Sequence, residues 1–406
     1  MIEPAAKKTN PAFWKIMKAV LGTYLRRKFH LSAENSEACM LPPPFLLLAN
    51  HTNFWDPFLL SLYIPEPVYF VTADEYFRNP FLKFLLRLVG AIPKSKFVSD
   101  QATVMDILRV KRRGGVIGIF PEGKRNWDGR TDELLFATSK LVKHLKVPVV
   151  TALLQGAYLS FPRWARKPRR GRIVVRFKNA LTPQDVETMD TETVHSALGR
   201  SLTYSDDAFQ RGNRILFKGK KLAESLELYL FTCPRCRAFC TMESKGDAFF
   251  CRSCHYAVRY GQDGRLTPQE GTPCFQTPGE WADWQRVYLK EALRAYADGK
   301  ASEPFWEDAD VTVRKGGRLI PLKKLSFGQM RLFSDRIEFV NLRKQRTEFE
   351  IGRIRGLNVQ YSDQFEFYYG RPLYRFSFRS QKTSAYKWVL AVRLLEEQTG
   401  KKMLTD

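Results

Sequence analysis

Phe45-Leu46-Leu47-Leu48-Ala49-Asn50-His51-Thr52-Asn53-Phe54-Trp55-Asp56 is the stretch on which the architecture of this chain turns. The apolar run 45–49 predicts a short buried strand, which then breaks into four polar or ring-bearing residues. Open α/β sheets place their chemistry at such strand ends, because the strand fixes the backbone while the loop presents side chains to a crevice. Asp56 follows His51 closely enough to fold back on it and accept the Nδ1 proton. Nε2 is then left to draw a proton from a hydroxyl. A helix start capped by Asn50, Thr52 or Asn53, with His51 incidental, fits the same letters.

Working outward, residues 42–177 alternate short apolar runs with helical periodicity, which predicts an α/β layer. The predicted strands are 45–49, 68–72, 116–120, 148–154 and 172–177, with helices over 80–88, 102–111 and 132–144. The third strand runs into Phe120-Pro121-Glu122-Gly123-Lys124-Arg125-Asn126. Pro121 stiffens the exit, Gly123 permits close backbone approach, and Lys124 and Arg125 are cations where a phosphate could be held. Pro-Glu-Gly alone is also an ordinary turn signal.

Taken together, these two stretches are more specific. Residues 50–56 resemble the His-x4-Asp signature of the glycerolipid acyltransferases, the lysophosphatidic acid type in particular, and Phe120 to Gly123 resembles their third motif, with Arg125 at its arginine. Between them, residues 90–96 look like the second motif, and residues 147–150 look like the short apolar fourth. The resemblance covers roughly residues 13–210. It implies an α/β catalytic domain with a central, mostly parallel or mixed sheet and flanking helices. The implied reaction is acyl transfer from a thioester, acyl-CoA or acyl carrier protein, to a hydroxyl of lysophosphatidic acid or a related lyso-glycerolipid. His51 would be the general base and Asp56 its orienting partner. Lys96 and Arg125, with Lys124 beside them, would hold the acceptor's phosphate, and Glu122 and Gly123 would shape the site around the glycerol. Where the family usually carries Asp-Arg, this chain has Ser95-Lys96, which replaces a bidentate contact by a point charge. The sequence contains no Gly-x-Ser-x-Gly nucleophile elbow, in keeping with direct attack on an already activated thioester.

Composition frames the rest. The 406 residues are long enough for two or three domains, and 44% hydrophobic content supports sizeable cores. A net charge of +24 predicts a polyanionic partner, a nucleic acid or an anionic membrane. The N-terminus has no signal-peptide pattern, and no apolar run approaches the ~18 residues of a bilayer span. The expected location is therefore cytoplasmic, peripheral to the inner face of the membrane. Residues 13–29 read as an amphipathic helix, with Phe13, Trp14, Met17, Val20, Leu21, Tyr24 and Leu25 on one side and Lys15, Lys18 and Arg26 on another. From Arg163 to Lys178 eight cations occur without an acid, near Phe161 and Trp164, and are expected to face the membrane.

Cys233-x-x-Cys236 and Cys251-x-x-Cys254 supply four thiolates at the spacing of a structural zinc ribbon. With all four positions filled by thiolate, no site is left open for catalysis. Beyond it, a capping box at Thr277 and Glu280 starts a helix. Alternating strands at 330–333, 337–340, 347–351, 364–369 and 373–378 and a last helix over 384–398 follow. That element order looks like a pleckstrin-homology-type barrel. The expected domains are 1–40 (membrane-associating helix), 41–210 (acyltransferase), 211–262 (connector and ribbon), 263–304 (linker and helix) and 305–406 (β-rich). The rival readings are a zinc-ribbon nucleic-acid binder and an inactive lipid-binding scaffold. The motifs at the strand ends count against the first, so no nucleic acid is expected as a partner.

Overall fold

The computed structural model describes residues 8–95, 100–299, 302–380 and 382–398. The described residues divide into two compact units, the first within 8–163 and 167–219, the second within 164–166 and 220–398.

The first unit is built on a seven-stranded sheet. Its strands are β1 (Ser32–Glu34), β2 (Leu46–Ala49), β3 (Val68–Ala73), β4 (Ile92–Lys94), β5 (Val116–Ile119), β6 (Val149–Gln155) and β7 (Val174–Leu181), in the order β1-β7-β6-β2-β5-β3-β4. Every pairing is parallel except β6 with β7, so the sheet is mixed. The continuous apolar run of β2 has a physical cause, since a parallel strand covered on both faces has no solvent side to alternate with. Leu47 and Ala49 enter one core with Leu25 and Phe29 of α1 (Pro11–Phe29) and Leu59 and Leu60 of α2 (Asp56–Ser61). Leu46 and Leu48 enter the other core, beneath α4 (Gln101–Arg112), α5 (Phe136–Leu145) and α8 (Thr191–Leu202). α3 (Pro80–Leu88), α6 (Ala157–Ser160), α7 (Pro183–Thr188) and α9 (Asp206–Asn213) complete the unit.

Three expectations need correction. The helix expected from residue 132 begins only at Phe136, because residues 131–135 are held as a loop, with Thr131 N–H donating to the Tyr204 carbonyl and Leu135 N–H to that of Pro121. The single helix expected after Thr182 is two, α7 and α8, divided where Met189 turns extended and Asp190 caps the second. The cationic run 163–178 is not one membrane-facing surface, since Trp164, Arg163 and Arg169 are buried while Arg166, Lys167, Arg170, Arg172, Arg176 and Lys178 are exposed.

In the second unit, β8 (Met242–Lys245), β9 (Ala248–Cys251), β10 (Ala257–Tyr260) and β11 (Leu266–Pro268) form a small antiparallel sheet. α10 (Pro278–Asp298) packs on it. Trp281 is fully buried, meets Phe249 and Tyr256, and donates to the Thr232 carbonyl at 2.9 Å. Seven antiparallel strands follow in the order β15-β14-β13-β12-β18-β17-β16, and α11 (Ala385–Gln398) packs on β16 and β17. They are β12 (Trp306–Gly316), β13 (Lys323–Leu332), β14 (Arg336–Asn341), β15 (Arg346–Glu350), β16 (Ile354–Gln360), β17 (Gln364–Tyr369) and β18 (Leu373–Phe378). The result is a half-barrel closed by a C-terminal helix. Two of its strands, β12 and β16, were absent from the sequence expectation. Each carries a register shift that breaks the two-residue alternation.

Candidate active site

β2 lies between β5 and β6, with Leu48 opposite both Ile119 and Thr151. The three loops leaving the C-terminal ends of these parallel strands therefore converge, and they carry the residues singled out above. His51 Nδ1 lies 2.8 Å from Asp56 Oδ2. The same carboxylate oxygen accepts the backbone N–H groups of Thr52 at 2.7 Å and Asn53 at 2.9 Å, and Asp56 is fully buried at the start of α2. With Nδ1 engaged by Asp56, Nε2 is the ring nitrogen left to face a substrate. The imidazole stacks on Phe120 at 4.0 Å, its side chain 20% exposed. α2 has no side-chain cap at Trp55; the Asp56 carboxylate binds the preceding loop, and Asn53 Oδ1 accepts the Trp55 N–H at 2.6 Å.

Glu122 is 1% exposed and bridges two backbone segments, accepting from His51 N–H at 2.6 Å and Asp132 N–H at 2.9 Å. Burial pushes its carboxyl well above the usual range, against the pull of those two donors. It is thus placed to hold the His51 backbone. Gly123 takes φ +67°, a left-handed turn that favours glycine. Lys124 Nζ lies 3.3 Å from Asp132. Arg163 stacks its guanidinium 4.5 Å over Trp127 and donates to the Arg125 carbonyl at 2.7 Å. Burial, with the like charge of Arg125 adding to it, draws Arg163 down to about 9. In the second motif, Ser95 Oγ donates to Asp74 at 2.8 Å, and Asp74 pairs with Arg78 at 2.9 Å. Lys96 lies outside the described residues.

Sequence reasoning missed the supports on the β6 side. Asn50 Oδ1 accepts from Leu154 N–H at 2.8 Å, and Asn53 Nδ2 donates to the Ala157 carbonyl at 2.8 Å. Gly156, which opens that turn, donates its N–H to Asp206 at 2.7 Å, and Tyr204 donates its hydroxyl to the same oxygen at 2.7 Å. No spacing in the sequence signals Asp206, which lies 150 positions beyond Asp56. Asp206 is pushed up to about 7 by burial. Its unfolded value is near ~3.9, so between the two the unfolded chain binds fewer protons and stability falls as pH rises, levelling above the folded value. Asp206→Asn cannot ionise and is expected to lose this slope. Relative to it, wild type should forfeit at most about 4 kcal/mol between acid and neutral pH. Denaturant melts across that window check this, and parallel curves for the two proteins would refute it.

In the second unit, Cys233, Cys236, Cys251 and Cys254 place their sulfurs within 4.8 Å of one another. The Cys233–Cys254 and Cys236–Cys251 distances are 3.6 and 3.7 Å. A tetrahedral ion with metal–sulfur bonds of ~2.3 Å requires about 3.8 Å between sulfurs, whereas a disulfide requires ~2.05 Å. The cluster therefore fits a metal ion. Arg237 and His255, one residue past each pair, take left-handed φ of 64° and 60°, which closes both knuckles.

Fold and site define an α/β domain with a histidine–carboxylate pair at the C-terminal end of a central parallel strand. Residues 30–155 match the family model described as Acyltransferase. Among curated relatives, the 1-acyl-sn-glycerol-3-phosphate acyltransferase of Borreliella burgdorferi is 31% identical over 88 residues, 21% of this chain and 35% of that protein. The Saccharomyces cerevisiae enzyme of the same name is 26% identical over 185 residues, 44% and 58% of the two chains. That of Bacillus subtilis is 22% identical over 144 residues, 35% and 71% of the two. The chain thus spans about one third to three fifths of the first two relatives' lengths. The 1-acyl-sn-glycerophosphate (LPA) acyltransferase structure from Thermotoga maritima aligns with TM-score 0.42 at 16% identity, over 49% of this chain and 79% of that one.

Proposed function

We propose that this chain is a peripheral membrane O-acyltransferase that moves a fatty acyl group from acyl-CoA or acyl carrier protein to a hydroxyl of lysophosphatidic acid or a related lyso-glycerolipid. Such a reaction belongs to phospholipid synthesis or remodelling. The observation that carries this reading is the His51–Asp56 contact of 2.8 Å at a converging strand end, within the segment that matches the Acyltransferase family model. His51 Nε2 takes the proton of the acceptor hydroxyl as its oxygen attacks the thioester carbonyl. The carbon–sulfur bond then breaks, and the imidazolium returns the proton to the departing thiolate. Asp56 stabilises the imidazolium and fixes its tautomer. Arg125, with its backbone carbonyl braced by Arg163, and Lys124 are the cations for the acceptor's phosphate, and Lys96 is assigned with them from its place in the second motif. Glu122 and Gly123 hold the loop that shapes the glycerol region.

The four cysteines hold a structural zinc ion. Among the described residues no helix is long and apolar enough to cross a bilayer. Exposed apolar side chains on α1 and α3, including Ile16, Val20, Phe81 and Phe84, support contact with the bilayer surface. The cytoplasmic face of the membrane is the location that fits this reading. Incubating the protein with labelled acyl-CoA or labelled acyl-acyl carrier protein and a panel of lyso-lipids tests it. Transfer to a lyso-glycerophospholipid is expected, and no transfer to any acceptor from either donor would leave a lipid-binding scaffold.

A further inference from the structure

We propose that the concave surface at the C-terminal end of α1 is a binding site for the phosphate of an anionic membrane phospholipid, whose acyl chain lies along the exposed edge of the helix. The proposal rests on the bilayer contact argued above. The concavity is a shallow, open depression of about 870 Å³ lined by Arg26, Arg27, Lys28 and Arg170, with Val20 and Tyr24 at its edge. Three of these cations close the last turn of α1, where they complement the helix dipole and by themselves call for no ligand. Arg170 comes from a different segment. Its backbone is bridged to Lys218 at 2.8 Å, and its Nε donates to His30 Nε2 at 3.0 Å, which fixes a fourth cation against the other three. Among the described residues none of the four has a carboxylate within ion-pair distance; the guanidinium of Arg26 instead lies 5.3 Å over the Tyr63 ring.

Four unneutralised cations in one concavity repel one another, and an anion bound among them relieves that cost. Guanidinium forks match phosphate oxygens in particular. The edge of the concavity selects between a free phosphate and a lipid. Ile16, Val20 and Tyr24 recur every four residues along one line of α1, 63%, 69% and 48% exposed, and the line ends at the cations. A soluble phosphate has no use for such a stripe, whereas a phospholipid fills both parts. Tyr24 also lies 6.0 Å from Trp55, the residue preceding α2. A lipid held here would therefore bring the His51 end of the domain towards the bilayer.

The test is co-sedimentation of the full chain with vesicles of phosphatidylcholine alone or mixed with phosphatidylglycerol. Arg27→Gln with Arg170→Gln should weaken binding to the mixed vesicles about 30-fold, at roughly 1 kcal/mol for each cation removed, and leave binding to phosphatidylcholine unchanged. Ile16→Ser with Val20→Ser should weaken both. The charge-matched pair Lys178→Gln and Arg200→Gln, exposed elsewhere on the same unit, should have little effect. An equal loss there would reduce the site to diffuse electrostatics and overturn it. So would calorimetric binding of free coenzyme A that the first double variant abolishes while vesicle binding persists. Acyl transfer by the wild-type chain is assayed separately on detergent-dispersed acceptor. Absence of transfer together with this binding pattern would remove the proposed enzyme activity and leave the lipid site standing.

Discussion

Replacing His51 by alanine is expected to lower acyl transfer from a thioester to a lyso-lipid by about 10²–10⁴-fold, the range that a positioned general base contributes. The fold should survive, because the Asp56 carboxylate keeps the N–H groups of Thr52 and Asn53 and the backbone of residue 51 keeps its bonds to Glu122 and Asn126. The loss should therefore appear in kcat, with vesicle binding and thermal midpoint close to wild type. Asp56→Asn separates orientation from basicity. It retains a neighbour for Nδ1 but removes the charge that stabilises the imidazolium, so its activity should lie between wild type and His51→Ala. An unchanged rate in His51→Ala would remove the base from the reaction.

The second large effect is expected from metal removal. Apparent binding energies of ~10–16 kcal/mol for structural zinc in small thiolate sites exceed what four short strands supply by burial alone. Purified protein should contain about one zinc per chain. Chelation, or Cys251→Ser, should release the packing of Trp281 on Phe249 and Tyr256, seen as a change in tryptophan emission. Cys251 is fully buried, so the variant also leaves a hydroxyl without its ion. A metal-free protein with unaltered emission would show that the ribbon folds on side-chain packing.

The motif-bearing loops were legible in the sequence because each is local. A run of apolar residues ends, and the reactive letters follow within a few positions. β4 escaped for a related reason, since three residues, Ile92–Lys94, are too few to show a period. β1 is as short and carries Ser32, Ala33 and Glu34, with no apolar alternation to announce that it pairs with Val174 to Arg176. Trp164 was misread because an aromatic among cations looks the same whether it faces a membrane or a core. In the structure it is buried against Tyr260. Glu122 illustrates the limit at the site itself. The resemblance implied a residue that shapes the site around the glycerol, and only the structure shows that its carboxylate also ties residue 51 to residue 132.

The sequence by itself determined that His51 and Asp56 stand five positions apart after a buried run and that four cysteines stand in two pairs. It also determined that the second half changes from helical to two-residue periodicity. Only the tertiary structure decided which loops share a site. β2 is flanked by β5, about seventy positions later, and by β6, about a hundred positions later, and these long-range pairings bring Glu122 and Asn126 to His51 and the Ala157 carbonyl to Asn53. Periodicity encodes which face of an element is buried, but strand order is chosen by the packing of both cores at once, which no local window of residues contains.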